Sequence, residues 1–127
     1  MHGTICIPSR EYQERAIKAG KILQRENLDA LIVNSNEADY ANARYFSGFW
    51  PLFERCGVAI APSGKAALMV GPESREFGID RSQIDRVFVL KEYREGADPA
   101  YPELKADTYH DVFKAIGVTG KKLRIGV

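Results

Sequence analysis

Apolar positions recur along this chain with two different periods, and the order of those periods predicts its elements. In SREYQERAIKAGKILQREN, Tyr12, Ala16, Ala19 and Leu23 fall at i, i+4, i+7 and i+11, one face of a helix. Ser9 is placed to cap its start, and Asn27 to take the left-handed conformation just past its end. DALIVN, short and rich in branched residues, predicts a strand buried on both faces. NEADYANARY predicts a short helix capped by Asn36 or Ser35.

Two apolar runs in CGVAIAPSGKAALMVGP flank Pro62, Ser63 and Gly64, the pattern of a β-hairpin whose turn has Pro at a favoured position and Gly free to take positive φ. ESREFGID predicts a short helix started by Pro72, and RVFVLKEY a further strand. REGADPAYPE, broken by Gly96, Pro99 and Pro102, reads as a loop. In the helix that follows, Tyr109, Val112, Phe113 and Ile116 share a face, and Gly117 supplies the stop. KKLRIGV begins a last strand. The order α-β-α-β-β-α-β-α-β implies an α/β fold, a sheet between helices in which the hairpin adds an antiparallel pair. The chain stops inside an apolar strand, which is costly to leave frayed, so residues 1–127 are expected to be a single-domain fragment of a longer protein.

Composition narrows the classes of function. A length of 127 residues with 45% hydrophobic and 28% charged residues fits one globular domain. Lys and Arg number 18 against 17 Asp and Glu, scattered along the chain, so nucleic acid finds no basic stripe to follow. No apolar run approaches the roughly 18 residues of a membrane span, and the N-terminus lacks the pattern of a signal peptide. A cytoplasmic protein is expected. Cys6 and Cys56 form no CxxC, and with His2 and His110 isolated they make no ligand cluster; the thiols are expected to be free and buried or half-buried.

The usual catalytic patterns are missing. No GxGxxG or GxxxxGK[ST] is present to hold phosphate, no HExxH to bind zinc, and no GxSxG to present a serine nucleophile. Glu11, Glu14 and Glu73 fall on helix surfaces, where a carboxylate is simply solvated. A two-metal nuclease would need carboxylates on its central strands, but only Asp29 stands near one, at its entrance.

The stretch YFSGFWPLFER is different, with Tyr45, Phe46, Phe49, Trp50 and Phe53 crowded around Gly48 and Pro51. Tyr45, Phe46 and Phe49 are expected to pack beneath the sheet. Trp50, Phe53 and Arg55 lie in a loop interrupted by proline, and aromatics with an arginine are the composition of binding hot spots. These three are the candidate binding residues.

Taken in order, the first helix, the run LDALIVNSNEADYANARYFSGFW and the hairpin GVAIAPSGKAALMVGPE resemble the N-terminal domain of the creatinase/prolidase family. The residues that carry the likeness are Leu28 through Val33, Ser35, Tyr45, Ser47, Gly48 and Phe49, and it extends from about Ser9 to Val127. The resemblance implies a ribonuclease H-like domain of three layers, α/β/α, with a mixed sheet and no catalytic residues of its own. It places catalysis in a following pita-bread domain, where the peptidases hold two divalent metal ions. It also implies a homodimer, and a role for the N-terminal domain in shaping access to the active site. Creatinase-like members carry a Phe-x-Arg at the place of Phe53-Glu54-Arg55, used on substrate. The expected parent is a hydrolase that cleaves a C–N bond in a small carboxylate-bearing substrate, an Xaa-Pro peptide first and a creatine-like amidine second. The alternative is a free-standing binding or dimerisation module that uses the aromatic loop 45–55.

Overall fold

The computed structural model describes residues 6–95 and 105–127. Helix α1 (Ser9–Arg25) is followed by strand β1 (Ala30–Ser35), helix α2 (Ala41–Ser47), the hairpin β2 (Cys56–Ile60) and β3 (Ala66–Val70), and helix α3 (Arg75–Arg81). Strand β4 (Val87–Val89), helix α4 (Tyr109–Ala115) and strand β5 (Ile125–Gly126) complete the described elements. Their order is the one the hydrophobic periods predict. The loop REGADPAYPE falls mostly outside the described residues.

The sheet runs β4-β3-β2-β1-β5 and is mixed. β2 pairs antiparallel with both β1 and β3, whereas the outer pairs β3–β4 and β1–β5 are parallel. Gly64 at φ 89° lets the hairpin turn close, and its amide donates to the Ala61 carbonyl at 2.9 Å.

Alternation along the strands divides the core in two. Cys56, Val58, Ile60, Leu68 and Val70 face one side with Ala16 and Leu23 of α1, Ala43 of α2 and Phe77 of α3. Ala30, Ala59, Ala67 and Met69 face the other, where Val112 of α4 and its C-cap residue Ile116 cover them. This is the predicted α/β/α arrangement, with α1–α3 on one face and α4 on the other. Val112 is the buried position of α4 and Ile116, its C-cap residue, is buried beside it; Tyr109 and Phe113 pack against them half-buried.

Several local expectations are corrected. Pro8 is the N-cap residue of α1, and Ser9 starts the helix itself, its hydroxyl donating to Gln83 Oε1 at 2.6 Å rather than capping. β1 is not buried on both faces: Leu31, Ile32 and Val33 are half-buried because the neighbouring β5 is only two residues long. α2 starts at Ala41, later than predicted, because Asn36 Oδ1 accepts from the amides of Ala38 and Asp39 and holds those residues in a turn. Ser35 does serve the helix from the end of β1, accepting from Ala43 N at 2.9 Å. Tyr45 lies at the surface, 51% exposed, with Arg15 over its ring at 4.3 Å, because the buried side of so short a helix is taken by Ala43 and Ser47. Phe49 is buried and meets Phe77 edge to face at 5.6 Å, and Phe46 is half-buried against the same cluster. Cys6 is exposed rather than buried or half-buried.

Candidate binding site

Where β1 ends and β2 begins, the register pairs Asn34 with Gly57. Both lie on the face covered by α4, in step with Ile32 and Ala59. The 3₁₀ turn Lys91–Tyr93, which follows β4, lays the Tyr93 phenol over Gly57. A Cβ at position 57 would come within 2.5 Å of Tyr93 Oη, so this approach needs glycine. Tyr93 is buried, and its hydroxyl donates to Asn34 Oδ1 at 2.7 Å while accepting from Tyr109 Oη at 3.2 Å. Burial pushes the Tyr93 phenol well above its ordinary pKa, so the hydroxyl keeps its proton as a donor.

Arg55, two residues before Gly57, reaches the same turn, its Nη2 donating to the Glu92 carbonyl at 3.4 Å. It stands between two open depressions. One, about 530 Å³, is lined by Asn34, Asp39, Tyr93 and Tyr109 together with Arg55. The other, about 370 Å³, is lined by Phe53, Glu37 and Arg94, again with Arg55. Phe53 is 41% exposed there. The structure therefore brings Phe53 and Arg55 together.

Trp50 is placed elsewhere. It lines a separate depression with Tyr12, Arg44 and Tyr45, and the Arg44 guanidinium sits 4.5 Å from its ring centroid. Glu54, which the sequence pairs with Arg55 as neighbouring charges, turns inward. It is 1% exposed, its Oε2 accepts from Ser74 N at 3.0 Å, and its Oε1 has no partner among the described residues. Desolvation holds its carboxyl above the ordinary range, opposed by the hydrogen bonds around Glu73 and Ser74. The effect is to root the loop that carries Phe53 and Arg55.

Sequence reasoning did not single out Asn34, Glu54 or Tyr93. The available signals were weak: one polar residue closing the apolar run DALIVN, and one tyrosine after VFVL. Among the described residues no three His, Cys, Asp or Glu side chains come together to hold a metal ion. No described helix is long and apolar enough to cross a membrane.

Comparison with known proteins agrees with this architecture. The chain matches the model of the Creatinase/Prolidase N-terminal domain over residues 15–126, and it belongs to that family. Among solved structures it is similar to the N-terminal, creatinase/prolidase-like domain of a metallopeptidase from Corynebacterium diphtheriae, with a TM-score of 0.58 at 13% identity over 91% of this chain and 94% of that one. The N-terminal domain of the cytoplasmic peptidase PepQ from Mycobacterium tuberculosis gives a TM-score of 0.53 at 20% identity, over 63% of this chain and 58% of that one. The dipeptidase PepE from Mycobacterium ulcerans gives 0.55 at 14% identity, and the match spans 94% of this chain but 35% of that enzyme. At such identities the likeness is one of fold. No curated protein matches the chain.

Proposed function

We propose that this chain is the non-catalytic N-terminal domain of a cytoplasmic, homodimeric hydrolase, and that it shapes substrate access to a catalytic domain holding two divalent metal ions. The substrate is a small carboxylate-bearing molecule whose C–N bond is cleaved, an Xaa-Pro peptide first and a creatine-like amidine second. The observation that carries this reading is the shared position of Phe53 and Arg55 on one depression, on a loop rooted by the buried Glu54. Family membership and the peptidase descriptions of PepQ and PepE support it. Arg55 offers a planar, two-pronged donor suited to a carboxylate, and Phe53 an apolar wall beside it.

The test is Arg55→Ala in the protein carrying its catalytic domain. The Michaelis constant should rise about tenfold, equivalent to about 1.4 kcal/mol, with little change in melting temperature. Unchanged KM and kcat would remove Arg55 from substrate binding.

A second reading, a binding module acting through residues 45–55, draws on the exposure of Tyr45, Leu52 and Phe53. It expects the chain to self-associate or hold a partner through this loop, and loss of that association in Trp50→Ala and Phe53→Ala. A chain that stays monomeric at high concentration and recovers no partner would overturn it.

A further inference from the structure

The depression beside Arg55 contains a second anion donor whose orientation is fixed by the protein. Tyr109 donates to Tyr93, and Tyr93 donates to Asn34 Oδ1, so the acceptor end of the Asn34 amide is engaged. Among the described residues nothing accepts from Asn34 Nδ2. Asn34 lines the same depression as Arg55. With Tyr93 donating to Oδ1, the side-chain amide of Asn34 is left with both N–H groups to give.

We infer that Asn34 is a second ligand-binding residue of this depression, its amide held by Tyr93 and Tyr109 so that Nδ2 donates to the carboxylate gripped by Arg55. This rests on the reading of Arg55 given above and extends it. Two donors of different geometry on one carboxylate fix its direction as well as its presence, which a lone guanidinium on a flexible stem does not. Asp39 lines the same depression, so a bare anion is opposed there, and a ligand carrying a cationic group beyond its carboxylate is favoured. Zwitterionic small molecules, dipeptides among them, have that charge pattern. Tyr93 is a positioning residue in this scheme and does not touch the ligand.

The experiment is an NMR titration of the 127-residue chain with glycyl-L-proline, following the Asn34 side-chain amide and the Arg55 Nε–H. Both signals should shift with one saturation curve. Asn34→Asp keeps an acceptor for Tyr93 but replaces the donor with a carboxylate, so it should lose at least about tenfold in affinity, about 1.4 kcal/mol, at unchanged melting temperature. Tyr93→Phe keeps the ring over Gly57 and should weaken binding less, while moving the Asn34 side-chain amide signals in the free chain.

If Asn34→Asp binds like the wild type while Arg55→Ala does not, the inference is overturned and the reading of Arg55 survives. If Arg55→Ala binds like the wild type and Asn34→Asp does not, the reading of Arg55 fails, and the shared grip on one carboxylate is overturned with it. A wild-type chain that shows no saturable shift overturns the inference, and the reading of Arg55 is then decided by the KM of Arg55→Ala in the protein carrying its catalytic domain.

Discussion

Glu54 and Arg55 are adjacent in the chain but turn to different surroundings: the carboxyl of Glu54 is buried against Ser74, and the guanidinium of Arg55 lies at the surface against the Glu92 carbonyl. Opposite charges side by side in a sequence suggest a pair, but the alternation of a strand entrance separates them. One becomes an anchor, the other a surface donor.

That separation gives a pH dependence with a definite sign. The folded chain holds a proton on Glu54 more tightly than the unfolded chain does, because desolvation raises its pKa. Stability from this group is therefore greatest in acid and declines as pH rises from the ordinary glutamate value, about 4.3, to the raised one. Asp111 has the opposite sign. The Thr108 backbone amide, then its hydroxyl, hydrogen-bonds the carboxylate in a capping box and lowers its pKa. That contribution is present above the unfolded value, about 3.9, and is lost as pH falls through the lower folded one. Urea midpoints measured from about pH 3 to 7 should show Glu54→Gln removing a decline and Asp111→Asn removing a rise. Equal slopes in Glu54→Gln and the wild type would contradict the buried carboxyl.

Gly57→Ala should cost about 1–3 kcal/mol, since its Cβ would press on the Tyr93 hydroxyl and on the Val33 carbonyl of the neighbouring strand. Tyr93→Phe should cost less, about 1 kcal/mol, for one hydrogen bond removed with the ring kept. Denaturant unfolding of the two variants checks the order, and an alanine at 57 tolerated at no cost would mean the phenol does not lie where described.

Phe49→Ala should be among the most damaging single changes in the aromatic stretch, about 3–5 kcal/mol, because the side chain is buried against Phe77. Trp50→Ala should cost only about 0.5–1 kcal/mol, the worth of an exposed cation–π contact with Arg44. Similar losses for the two would show that the loop packs differently.

Cys56 is fully buried, and desolvation pushes its thiol up to about 12, whereas Cys6 is exposed. Iodoacetamide at mildly alkaline pH should label Cys6 and leave Cys56 until the chain unfolds. Mass spectrometry of the peptides reads this directly, and rapid labelling of Cys56 in the folded chain would contradict its burial.

The sequence by itself determined the element order, the hairpin and its turn, and the helix-ending Gly117, because each is written in local periodicity and local backbone preference; the family likeness was carried by motifs taken in order. Asn27, Gly64 and Gly117 take positive φ where turn and cap chemistry require it. The choice of Phe53 and Arg55 as candidate binding residues came from local composition and the family likeness, and the fold places them on one depression. Only the tertiary structure decided that Trp50 lies on another, that Glu54 is an anchor, and that Asn34, Tyr93 and Tyr109 form one relay. Those three come from β1, the turn after β4 and the start of α4, and no periodicity links their positions. They meet because the sheet places β1 beside β2, β2 beside β3 and β3 beside β4, so the turn after β4 can fold back over Gly57. Contacts of that kind depend on how sheet layers stack, which a local pattern of apolar and polar residues does not encode.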